Sequence, residues 1–166
     1  SITDNVTDFD VMFRDCSSLA AIQAGNANFP DSVYAEIGNP NLLVYVNDAA
    51  LAPTSVQNVV INGQAQNIIL TDVAEGNGNF YCPQEFQAEQ ISYSRNFTQT
   101  TEVGVSRGWE SIALPFDVQS IVHETKGTIV PFGSTADGYN FWLRRMRDNG
   151  LEQATQIEAN RGYVIS

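Results

Sequence analysis

The sequence predicts an all-β fold: a mainly antiparallel β-sandwich with a short N-terminal helical or repeat-like cap. Three observations point there. After residue 40, short β-rich runs alternate with turn signals at the roughly 8–12-residue spacing of sandwich strands. Within ISYSRNFTQT (91–100), apolar and polar positions alternate, as on a strand with one wet face. No strand–helix–strand alternation occurs, which argues against a parallel sheet. Residues 1–40 are therefore expected to form an arm and cap, and residues 41–166 the sandwich.

The elements follow in chain order. Residues 1–10, polar and acidic, read as an extended arm. Phe13, Cys16, Leu19 and Ile22 then recur at every third position. That spacing fits one face of a short helix and equally a turn of a leucine-rich solenoid. DSVYAEIG (31–38) reads as a short helix, capped by Asp31 or Ser32 and stopped by Gly38. LLVYV (42–46) opens the strand region. NVVING (58–63) and NIILTDV (67–73) are expected to pair as a hairpin with a loop of about three or four residues around Asn62-Gly63.

EGNGN (75–79) is a loop. In the strand that follows, Ile91, Tyr93, Arg95 and Phe97 share the apolar side. Arg95 is expected to pack its stem there and to carry its head to an edge or a carboxylate. GWESIALPFDV (108–118) reads as a strand broken at Pro115, with Trp109, Ile112, Leu114 and Phe116 in an inter-sheet core. SIVHE, GTIVPF, YNFWLRRM and GYVIS supply further strands. DNGLEQAT (148–155) reads as a turn and connection.

The chain has 166 residues, the length of one domain with at most a small appendage. Charged residues make up 16%, below the usual quarter, so uncharged polar groups dress the surface. The net charge is −11, and Lys126 is the sole lysine. Residues 1–90 hold eleven acids against one base, Arg14. Such a front half repels phosphate backbones, which argues against nucleic-acid partners. No apolar run approaches the 18 or so residues of a membrane span. Cys16 and Cys82 lack the paired framework of a disulfide scaffold, so two separate, buried, unpaired thiols are expected.

Few residues suggest catalysis. His123 is the one histidine, set beside Glu124 without a nucleophile motif around it. One histidine and two distant cysteines are a poor ligand set for zinc. Paired carboxylates could still support a glycoside hydrolase, but nothing in the sequence marks such a pair. Asp72, Glu75, Asn77 and Asn79 are oxygen donors around two glycines, a candidate calcium loop. Their spacing is not that of an EF-hand, and Gly/Asn clusters more often make turns. A second acidic cluster, Asp4, Asp8 and Asp10, reads as a solvated arm.

Aromatic residues give the candidate ligand site. Tyr139, Phe141 and Trp142 stand together, followed by Arg144, Arg145 and Arg147. On a strand, Phe141 and Leu143 face one way and Trp142 and Arg144 the other. Tyr139, Trp142, Arg144 and Arg145 are thus candidate ligand contacts, with Trp142 and Arg144 as cation–π neighbours. The competing account is an aromatic core strand with an arginine edge that blunts sheet pairing.

Several phrases together carry a resemblance. FRDCSSLAAIQAGNANFP resembles the end of a BspA-like leucine-rich repeat. NPNLLVYV, NVVINGQAQNIILTD, FYCPQEFQAEQISYSRNFT, GWESIALPFDVQSI, FWLRRM and IEANRGYVIS resemble the carboxy-terminal β-rich region of large Bacteroidetes surface proteins, labelled as cell-adhesion or leucine-rich-repeat proteins. The resemblance runs over nearly the whole chain from about Phe13. It implies an extracytoplasmic, surface-attached or secreted protein without enzymatic activity or cofactor. Its partners would be a host or bacterial surface protein or a glycan, or other surface chains in an assembly. It brings no catalytic residues, and it implies further strands beyond the YVIS strand. A structural spacer, and less readily a hydrolase using two acids, are the alternatives.

Overall fold

A computed structural model describes residues 9–72, 80–97, 108–132 and 139–166. The described residues are predominantly β. Twelve strands follow in order: β1 (Ala21–Gly25), β2 (Leu43–Val46), β3 (Asn58–Ile61), β4 (Gln64–Thr71), β5 (Gln87–Ser94), β6 (Glu110–Ile112), β7 (Ile121–His123), β8 (Gly127–Pro131), β9 (Tyr139–Phe141), β10 (Leu143–Arg147), β11 (Gly150–Gln153) and β12 (Tyr163–Ile165). The chain forms two compact units, Ser1–Asn96 and Phe97–Ser166. β1 and β2 lie on either side of residue 40 and are neighbours in one sheet.

The first unit corrects the expectation of an antiparallel sandwich. Its sheet has the order β1-β2-β3-β4-β5, and β1–β2, β2–β3 and β4–β5 pair in parallel. Ala21, Leu43 and Asn58 lie side by side, as in the stacked coils of a β-solenoid. The physical cause is burial on both faces. Ala24, Val44 and Val46 join Val33, Tyr34 and Ile37 in one core cluster, with Ile22, Val59 and Ile61 packed against it. Leu43, Tyr45 and Val60, on the opposite face by alternation, are buried as well. A short apolar run buried on both sides suits a parallel strand. The helical reading of Phe13–Ile22 is not met: Phe13 sits in a turn and Ile22 in β1.

DSVYAEIG forms a single 3-10 turn, Asp31–Tyr34, with Pro30 at its N-cap position and no side-chain cap. Gly38 ends the segment with φ +84°. The Asn62-Gly63 turn is present and tighter than expected: Ile61 pairs with Gln64 across two residues. Both have positive φ, 47° and 77°, the signature of a type I′ turn. The hairpin ends at that one pair, and β4 then runs parallel to β5 from Gln64↔Gln87 to Thr71↔Ser94.

Asparagine side chains take over where β3 and β4 part. Asp72 N–H donates to the Ser94 carbonyl, so by alternation the peptide groups of Ile69 and Thr71 face away from β5. Asn58 Oδ1 accepts from Ile69 N–H at 2.8 Å, and its Nδ2 donates to the Ile69 carbonyl at 3.1 Å. Asn41 does the same for Thr71, at 2.8 and 2.9 Å. Asn39 Oδ1 accepts from Asn41 N–H, and Asn39 Nδ2 donates to the Leu19 carbonyl. All three asparagines are buried. The Asn58 and Asn41 amides imitate peptide groups and close part of a ladder that lacks a strand.

Tyr45 is buried beside this region; its hydroxyl donates to the Gln84 carbonyl at 3.1 Å and lies 3.5 Å from Cys82 Sγ. Burial, and then the Cys82 contact, push the phenol well above its ordinary value. Burial, followed by the nearby Asp31 charge, also raises Tyr34. A folded pKa above the unfolded value of about 10 gives a stabilisation fully present below that pH. It is lost as pH rises through the raised folded value. Tyr45→Phe is therefore expected to flatten the loss of stability above about pH 10 in urea melts, at a cost of about 1 kcal/mol near neutrality. Equal alkaline losses in both proteins would refute this.

The second unit is mainly antiparallel. One sheet has the order β11-β10-β12-β6, the other β7-β8-β9; only β8–β9 is parallel. DNGLEQAT contains β11, which pairs with β10 from Arg144↔Gln153 to Arg147↔Gly150, so the expected connection is a strand. Of the four proposed core residues only Leu114 is buried; Trp109, Ile112 and Phe116 are half-buried. Cys16 and Cys82 are unpaired, as expected, but exposed rather than buried.

Candidate functional site

The site is built on the β11-β10-β12-β6 sheet. Phe141 and Leu143 turn inward, 8% and 1% exposed; Trp142 and Arg144 turn to the other face and are half-buried. Trp142 bridges β9 and β10. Its N–H donates to the Ser166 carbonyl at 3.0 Å and its carbonyl accepts from Ser166 N–H at 3.1 Å. Beyond β12, the register Ile165↔Glu110 brings Trp109 into the same cross-sheet row. The Trp109 and Trp142 ring centroids are 6.4 Å apart.

Phe132 completes the cluster. Its N–H donates to the Phe141 carbonyl, and its own carbonyl accepts from Gln153 Nε2 at 2.7 Å. The ring stacks on Trp142 with centroids 4.1 Å apart and planes at 27°. Phe132 is 48% exposed, so the open aromatic surface of the cluster belongs to it. Arg144 Cζ lies 5.0 Å from the centre of the Trp142 ring, a cation–π distance.

No protein-family model matches the chain, and neither a curated protein nor a solved structure is similar to it. The site must be read from its own geometry.

Of the sequence-derived candidates, Trp142 and Arg144 are brought together. Arg145 is not: it lies on the opposite face, where it meets Glu158 at 3.3 Å. Tyr139 stands in β9 opposite Ile129, and its side chain lies outside the described residues. Phe132 and Trp109 were absent from the expected ligand set. Phe132 follows a strand-ending proline, where an aromatic residue reads as core. Trp109 reads as core because Ile112, Leu114 and Phe116 follow it in the same apolar stretch.

For the calcium loop, Asp72 is engaged by Arg95 Nε at 3.1 Å, which also meets the expectation for the Arg95 head. Glu75, Asn77 and Asn79 lie outside the described residues, as do Asp4 and Asp8. Among the described residues no group of three or more His, Cys, Asp or Glu converges. His123 is exposed at the end of β7, and its Nδ1 accepts from Thr125 N–H at 3.2 Å. In the first unit an open groove of ≈ 680 Å³ runs beside β1, walled by Leu19, Gln23, Phe80, Tyr81 and Pro83. Among the described residues its lining includes no carboxylate or histidine.

Proposed function

We propose that the chain is a non-catalytic interaction module of an extracytoplasmic bacterial surface protein. It contacts a glycan through the Phe132–Trp142–Trp109 cluster. The observation that carries this reading is the stacked Phe132–Trp142 pair, half exposed yet fixed by strand-end hydrogen bonds. Aromatic faces of this kind receive the C–H faces of sugar rings and the apolar anchors of proteins alike. A platform held by paired strands loses little freedom when a ligand binds. The parallel stacking of β1, β2 and β3 supports the surface-protein setting, because repeat proteins build their cores that way.

Retention on a glycan array tests the proposal. Phe132→Ala and Trp142→Ala are each expected to weaken binding roughly 10-fold or more, the cost of losing an aromatic anchor. Phe132→Ala should keep the melting temperature within a few degrees, since an exposed ring contributes little to the core. An unchanged binding profile in both variants would end the proposal, and release of sugar from the array would replace it with the hydrolase reading.

A further inference from the structure

We infer that the ligand of this cluster is acidic, and that Arg144 receives the carboxylate of a uronic or sialic acid residue. The inference rests on the glycan reading above and adds the charge of the sugar. Its basis is the state of the arginines. Acids outnumber bases nineteen to eight in this chain, so a cation normally finds a carboxylate. Arg14 meets Glu36, Arg95 meets Asp72, Arg145 and Arg161 meet Glu158, and Arg147 meets Glu152. Among the described residues, Arg144 alone of the arginines has no carboxylate partner.

The sheet register explains why. Arg144 lies between Gln153 on β11 and Val164 on β12, and Val164 is followed by Ser111 on β6. The next row on that face holds Trp142, Ser166 and Trp109. The side chains of both rows are uncharged apart from Arg144. The acids of these strands, Glu152 and Glu110, alternate to the other face. Arg144 is half-buried, and stacking beside Trp142 restrains the guanidinium without using its N–H donors. A guanidinium presents those donors as a planar fork, which matches a planar carboxylate through two parallel hydrogen bonds. A sugar ring resting on Phe132 with its carboxylate toward Arg144 would use both features at once.

The test compares acid and neutral partners of the same shape: trigalacturonic acid against its full methyl ester, and sialyllactose against lactose, by titration calorimetry at about 0.15 M salt. At least one acid is expected to bind roughly 10-fold or more tightly than its neutral partner, the worth of a charge-assisted pair. Arg144→Gln should erase that preference. Arg144→Lys, which keeps the charge and loses the fork, should restore only part of it. Equal affinity for acid and neutral forms, or an unchanged preference in Arg144→Gln, overturns the inference and leaves the glycan reading standing. Failure of all four sugars to bind overturns both, and binding of an acidic peptide in their place would assign Arg144 to a protein partner.

Discussion

Replacing Asn58 by alanine is expected to destabilise the first unit by roughly 2–5 kcal/mol, because the Ile69 N–H then loses its partner and the Ile69 carbonyl keeps only Gln57 Nε2, at 3.3 Å. Asn58 is 0% exposed, so its amide lies away from bulk water. Each stranded donor or acceptor costs about 1–3 kcal/mol, and the cavity left by the amide adds to this. Asn58→Leu separates the two effects. Leucine fills the volume but offers neither donor nor acceptor, so it should remain nearly as damaging as alanine. Chemical denaturation of the three proteins, with hydrogen exchange at Ile69, checks the result. A leucine variant as stable as the parent would show that the amide acts by filling space alone, and the account of the β3–β4 junction would fall.

That junction also shows where sequence reading stops. Asn62-Gly63 was legible because its chemistry is local: two residues must adopt positive φ, and asparagine and glycine do so readily. The pairing beyond it was not. Ile68 and Leu70 look like the second arm of a hairpin, and nothing local says that Ile69 will bond a side chain instead of β3. Asn58 inside a strand reads as a solvent-facing residue. Its role appears only once β4 crosses the start of β3. LLVYV shows the same limit. A continuous apolar run announces burial on two faces, yet its neighbours lie in segments far along the chain, so parallel and antiparallel partners look alike.

The second unit was more readable, for a physical reason. Hairpins and alternation are short-range. The opposition of Phe141 and Leu143 to Trp142 and Arg144 follows from strand period alone. β11 escaped notice because Gly150, Glu152 and Gln153 are weak strand formers, and register against β10 supplies what propensity lacks. Arg145 illustrates the remaining gap. Its place in the sequence put it with Arg144, whereas one step along a strand is half a turn. The exposure of both cysteines likewise depends on which segments cover them, which spacing does not encode.

Tyr163→Ala is the second large expected effect, at roughly 3–5 kcal/mol for emptying a buried aromatic site. Tyr163 is 1% exposed and stands between Arg145 on β10 and Ile112 on β6. Its hydroxyl accepts from Glu158 N–H at 3.0 Å, which ties the preceding loop to the sheet. Tyr163→Phe keeps the ring and loses only that bond, about 1 kcal/mol. For a unit of this size the alanine variant should melt roughly 12 °C or more below the parent. The consequence reaches the ligand site, because β12 leads directly into Ser166, whose two backbone bonds hold Trp142. Binding should therefore fall together with stability in Tyr163→Ala, but fall without it in Phe132→Ala. If Tyr163→Ala melts within a degree or two of the parent, β12 is not what holds the aromatic platform. Its low entropic cost of binding would then need another source.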